Sequence, residues 1–261
     1  MKKKTILKIT ITAGFLIVIV AALLLSLKNA YVLPILMYHS IDDNTRLSKL
    51  SVSPESFERQ MKFLKDHRYN VISVEKAVSY IQNKERVPPK TIAITFDDGF
   101  YNNYKYAYPV LKKYGIPATI YVIVGKIGQP GYLGWKEIKE MSDSGLITIG
   151  SHTISHLWLP TMNTERLKSE LNDSKKILED KLGKPVKELC YPVGAHDERV
   201  KTCARQAGYA CALATNPGRF APNDDIYAIK RVRISRTSNN LFVFWIETSG
   251  YYTWIKEHRD E

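Results

Sequence analysis

Apolar residues in this chain come in short runs separated by amphipathic stretches, and the two alternate from residue 31 onward. Runs at 31–38, 70–73, 91–96, 118–124, 146–150, 187–191, 209–214 and 227–234 are rich in β-branched and aromatic residues and bounded by turn formers. That is the signature of buried strands. Between them lie helical periods at 54–67, 74–83, 109–114, 135–144, 164–182, 197–207 and 239–248. Ser53 followed by Pro54 marks a helix start, and Gly115 and Gly183 mark helix ends. Regular strand–helix alternation predicts a parallel α/β sheet, closed or nearly so, with its chemistry at the C-terminal ends of the strands.

The first 30 residues break the pattern. Lys2, Lys3, Lys4 and Lys8 precede 19 uncharged residues at 9–27, followed by Lys28. A helix of that length reaches about 28 Å, close to the hydrocarbon thickness of a bilayer. A cleaved secretory signal has a similar start, but this apolar run is longer and no small-x-small cleavage site follows it. We expect a signal-anchor or transmembrane segment at 1–30, lysines inside, and one extracellular domain at 31–261. If the segment is cleaved, that domain is secreted.

The chain carries 38 Lys and Arg against 26 Asp and Glu, a net charge of +12, and five of the basic residues lie in the first 30. The remaining excess suits an anionic envelope or an acidic polymer. Nothing has the clustered Arg/Lys and motif context of a nucleic-acid reader. Three cysteines, Cys190, Cys203 and Cys211, are too few for a disulfide framework, although one bridge is possible.

The run at 91–96 leads straight into Asp97, Asp98 and Gly99. Adjacent carboxylates at the end of a core strand repel each other and resist desolvation, so a cation belongs there, unless the pair simply caps a helix. The strand at 146–150 leads into Ser151-His152-Thr153-Ile154-Ser155-His156, with two histidines four residues apart. Together with one aspartate they offer two nitrogens and an oxygen to a metal, leaving positions for water and substrate. Zinc fits this pattern; cobalt, nickel or iron accept the same donors.

These two motifs, in this order and spacing, resemble the polysaccharide deacetylases of carbohydrate esterase family 4, over nearly all of residues 31–261. The resemblance implies a distorted (β/α) barrel of the NodB-homology type, here preceded by one N-terminal transmembrane helix. It implies a metal-dependent hydrolysis of N-acetyl groups from an N-acetylglucosamine-containing envelope or biofilm polysaccharide. Asp97 becomes the base, and Asp98, His152 and His156 the metal ligands. The turn Cys190-Tyr191-Pro192-Val193-Gly194 resembles the family's third motif, which makes the amide of Val193 the oxyanion donor.

Two departures matter. The arginine common at the start of that third motif is replaced by Cys190. Arg231 and Arg233 share one face of a late strand by the two-residue period, and of these two substitutes the resemblance to permuted members favours Arg231. The late leucine-x-histidine motif is missing, since the only histidine after His196 is His258. His39, ending the first strand, resembles the opening motif of a circularly permuted branch that includes the poly-N-acetylglucosamine deacetylases, and so becomes the general acid. Trp135, Trp158 and Tyr191 flank these motifs and are candidates for contact with a sugar, although aromatics in such positions often belong to the core. The competing reading is a catalytically silent glycan-binding module on the same barrel, which would have no need of Asp97.

Overall fold

A computed structural model describes residues 14–15, 31–42, 49–215 and 225–252. The strands are β1 (Ile35–Tyr38), β2 (Asn70–Ile72), β3 (Thr91–Phe96), β4 (Ala118–Val122), β5 (Ile147–Ser151), β6 (Glu188–Cys190), β7 (Cys211–Leu213) and β8 (Val232–Arg233). The helices are α1 (Pro54–Asp66), α2 (Val74–Gln82), α3 (Tyr108–Tyr114), α4 (Trp135–Asp143), α5 (Thr164–Leu182), α6 (Glu198–Gln206) and α7 (Leu241–Glu247). Helix boundaries follow local chemistry: the Ser53 side chain accepts from Ser56 N–H and Asn163 from Arg166 N–H, while Gly183 closes α5 at φ 65°.

Every strand pairing is parallel, in the order β7-β6-β5-β4-β3-β1-β8, with β2 on the lower half of β3. The first strand of the domain therefore lies between the central strand and the last. The segment before β8 bridges back to β7, with Ala214 N–H donating to Ile229 C=O and Ile229 N–H to Ala212 C=O. Three residues later the same segment pairs with β1, so the sheet curls into a barrel. The single strand expected at 227–234 is interrupted here for that reason: it changes partner between Ile229 and Val232.

Alternation along each strand separates two packing layers. Leu36, Tyr38, Ile94, Phe96, Ile120 and Leu189 pack outward under the helices. Ile35, Ala93, Tyr121, Cys190, Cys211 and Leu213 fill the barrel interior. The same phase carries Asp97 inward after Ala93 and Thr95, and His39 inward after Ile35 and Met37. Among the described residues no helix is long and apolar enough to cross a membrane. The expected span at 9–27 lies outside those residues apart from Gly14 and Phe15.

Candidate metal centre and active site

Asp97 and Asp98 leave β3 on different courses. Asp97 continues the strand, its N–H donating to Tyr38 C=O of β1 at 2.9 Å, and only 2% of it is exposed. Asp98 turns into the left-handed region at φ 73°. Thr153, His156 and Val193 also sit at positive φ, so four of the seven such non-glycine residues among those described lie at these strand ends. Strain of this kind persists where surrounding structure fixes it.

Asp98 Oδ1 lies 3.6 Å from His152 Nε2 and 3.5 Å from His156 Nε2. His152 Nδ1 is 2.7 Å from Cys190 C=O. A carbonyl only accepts, so Nδ1 carries the hydrogen and Nε2 turns its lone pair to Asp98, the second-sphere arrangement of a metal-binding imidazole. Burial, then the charge of Asp97, pushes the Asp98 carboxyl up to about 7. Burial pulls His152 down to about 4 and lowers His156 as well, which favours neutral ligand imidazoles. Two uncharged imidazoles and the desolvated Asp98 carboxyl converge as three donors that fit one divalent cation.

Asp97 meets a different cation. Burial alone would raise its pKa, but Arg231 outweighs it and holds the carboxyl well below the usual range. Arg231 is itself buried; its Nη1 donates to Asp97 Oδ1 and its Nη2 to Oδ2, both at 2.7 Å. Its Nε donates to Ala214 C=O at 2.9 Å and Nη1 also to Thr95 Oγ1 at 3.0 Å. Cys190 Sγ, 3.0 Å from Nη2, completes the enclosure. Asp97, His152 and Cys190 are close enough to hold a second ion, but the guanidinium already supplies the positive charge there. Arg233, two residues on, is exposed.

His39 emerges beside Asp97 at the end of β1. Burial lowers its pKa, opposed by the charge of Asp97, and its Nδ1 is buried without a hydrogen-bond partner among the described residues. Its carbonyl accepts from Asn103 Nδ2 at 2.9 Å. Val193, at φ 48°, is 55% exposed. The bonds that close its turn run from Gly194 to Tyr191 and from Ala195 to Pro192, leaving the Val193 amide outside them. Gly194 at φ 74° has no room for a side chain, since a Cβ would stand 2.2 Å from Thr215 Oγ1.

Sequence profiles and known structures can be set against this geometry. The profile of the family described as "Polysaccharide deacetylase" matches residues 84–212. YxkH of Bacillus subtilis (strain 168), which carries a provisional polysaccharide deacetylase name, is 39% identical over 217 residues, 83% of this chain and 76% of its own. The chain belongs to the polysaccharide deacetylase family.

A poly-β-1,6-N-acetyl-D-glucosamine N-deacetylase of Staphylococcus aureus (strain MRSA252) is 31% identical, covering 72% of this polysaccharide deacetylase and 69% of the relative. The Streptococcus pyogenes deacetylase PplD, solved in complex with acetate, superposes with a TM-score of 0.73 at 31% identity over 80% of this chain and 96% of that one. The family profile begins after His39 and ends before Arg231. In this deacetylase-family member His39 and Arg231, which flank Asp97, thus come from chain segments on either side of the matched stretch.

Two expected contacts are not at the rim. Tyr191 is fully buried, stacked on His196, and its hydroxyl donates to Tyr227 C=O at 3.0 Å. Trp135 is half-buried against the outer core with Lys181 over its ring. In both, burying the ring prevails over exposing it to a ligand. Trp158, by contrast, is 54% exposed two residues after His156.

Glu170 is the residue that sequence reasoning missed. Its carboxylate on α5 accepts from Ile154 N–H and Ser155 N–H, both at 2.9 Å, and from the Ser155 hydroxyl. It thereby fixes the loop between the two histidines. Gly125 closes the other side, because a Cβ there would stand 2.6 Å from Ile154 C=O. The signal for Glu170 was a carboxylate set into the apolar stripe Leu167, Leu171 and Leu178.

Proposed function

We propose that this chain is a metal-dependent N-deacetylase of an N-acetylglucosamine-containing polysaccharide, with poly-β-1,6-linked chains as the leading substrate. The observation that carries the reading is the meeting of Asp98, His152 and His156 beside an ionised, arginine-clamped Asp97. The named activity of the staphylococcal relative supports the choice of polymer. A divalent cation held by those three residues would supply a lowered pKa for water and polarisation of the acetamide carbonyl.

The chain's own groups account for the proton movements. Asp97 accepts a proton from the attacking water as its oxygen bonds to the carbonyl carbon. The Val193 N–H faces the oxyanion that forms. His39 delivers a proton to the sugar nitrogen as the C–N bond breaks, and acetate and a free amine leave. Its lowered pKa makes the imidazolium a stronger acid and confines it to lower pH. Residues 9–27 would hold the domain outside the cytoplasm, a reading supported by the basic start and uncharged run.

Acetate release from a poly-N-acetylglucosamine substrate tests the proposal. We expect release, abolished by a chelator and restored by Zn²⁺. His39→Ala should keep fold and metal while kcat falls about 10²–10⁴-fold, the usual worth of a general acid or base. A metal-loaded protein that binds the polymer and frees no acetate would establish the silent-binder reading instead.

A further inference from the structure

Cys190 is the residue that touches both halves of the site. Its carbonyl accepts from His152 Nδ1, and its thiol lies against Asp97 and Arg231. The thiol accepts from Arg231 Nη2 at 3.0 Å and donates to Asp97 Oδ2 at 3.4 Å. A cysteine thiol is ordinarily protonated at neutral pH, so Sγ carries the hydrogen that it directs at Asp97 Oδ2.

The two oxygens of Asp97 are therefore unequal. Each carboxylate oxygen has two in-plane lone pairs. Oδ2 receives Arg231 Nη2 and the Cys190 thiol, which occupy both. Oδ1 receives Arg231 Nη1, which occupies one. No other donor to Oδ1 is found among the described residues.

We propose that Cys190 is a positioning residue that, by saturating Asp97 Oδ2, leaves Oδ1 as the oxygen that takes the proton. This rests on the deacetylase reading above. The thiol acts through Asp97 and does not itself meet the substrate. An arginine-clamped carboxylate without it would offer two competing acceptor lone pairs, one of them directed at the side of the barrel from which Cys190 approaches. A small neutral donor at position 190 removes that alternative and leaves room for Arg231, whose guanidinium shares the same pocket.

The test compares Cys190→Ala, Cys190→Ser and the parent in acetate release, with metal content and thermal midpoint measured on each. Cys211→Ala is the control, a buried cysteine of the same interior that is not among the side-chain donors to Asp97. We expect Cys190→Ala to lower kcat about tenfold with KM unchanged, the usual worth of a hydrogen bond to a charged group. Cys190→Ser, whose hydroxyl also accepts and donates, should recover most of it. Metal content should not change, because His152 is held by the backbone carbonyl. Parent-like kcat in Cys190→Ala overturns the inference, and so does an equal loss in Ala and Ser, which would mark a packing role. Failure of the deacetylase reading is distinct: there the parent itself releases no acetate.

Discussion

Asp97 and Glu188 are two carboxylates carried into the same barrel interior, one at the end of β3 and the other at the start of β6, and 2% and 4% of them are exposed. Burial pushes both pKa values up, yet they finish in opposite states. Glu188 has the Tyr121 hydroxyl at 3.0 Å as its donor, and its carboxyl rises to about 7. Asp97 has the fork of Arg231 and stays ionised. Depth in the barrel therefore does not make a base; a desolvated counter-charge does. Asp98 lies between the two cases, raised to about 7 with two imidazole nitrogens near it and the Arg231 guanidinium bonded to Asp97 instead, which is the condition of an acid that a cation completes.

The largest effects should come from separating the paired aspartates. Asp98→Asn removes a charged ligand, so bound metal and activity should be lost together. Asp97→Asn should keep the metal and lower kcat about 10²–10⁴-fold, because only the proton acceptor is gone. Metal analysis of the purified variants decides between these roles. Loss of metal from Asp97→Asn with retention in Asp98→Asn would reverse the assignment.

Arg231→Met turns Asp97 into a second Glu188, buried without a cation. Breaking a buried pair by removing one partner costs about 3–5 kcal/mol, since the other charge is left uncompensated. Urea unfolding at pH 7 should show a loss of that order, and activity should fall because the carboxyl is then protonated. A loss below about 1 kcal/mol, the range of an exposed pair, would show that the clamp is not what keeps Asp97 ionised.

How much of this was legible in the sequence depended on whether the partners are neighbours in the chain. Asp97-Asp98 and His152/His156 are contiguous motifs at strand ends, and alternation along β1 and β3 already sends His39 and Asp97 to one side. Arg231 was a choice between two arginines, because its bond to Asp97 spans 134 residues and depends on a segment that leaves β7 to join β1. Glu170 was missed although it is a charge on an apolar stripe, because its donors, two loop amides, are brought to it only once α5 packs beside β5. Cys190 was legible only as the place of a missing arginine; that its thiol would meet Asp97 was not, since a buried cysteine reads as a small hydrophobe. Tyr191 and Trp135 misled because an aromatic beside a motif looks the same in sequence whether its ring turns outward or in.

The smallest expected effect is the most direct test of the contrast, since it concerns the acid that does no chemistry. Glu188 is protonated in the folded barrel up to about pH 7, whereas its carboxyl in the unfolded chain ionises near the ordinary 4.5. Between those values the native state holds a proton that the unfolded state has released, so stability declines as pH rises. The contribution is complete below pH 4.5 and lost once pH passes about 7. A shift of this size corresponds to a change on the order of 3 kcal/mol across the window. Glu188→Gln keeps an oxygen for the Tyr121 hydroxyl but does not titrate. The variant should match the parent near pH 5, exceed it in stability at pH 8, and show a flatter slope between. Parallel slopes for the two proteins would mean that Glu188 is ionised inside the barrel, and that a tyrosine hydroxyl suffices where Asp97 has an arginine.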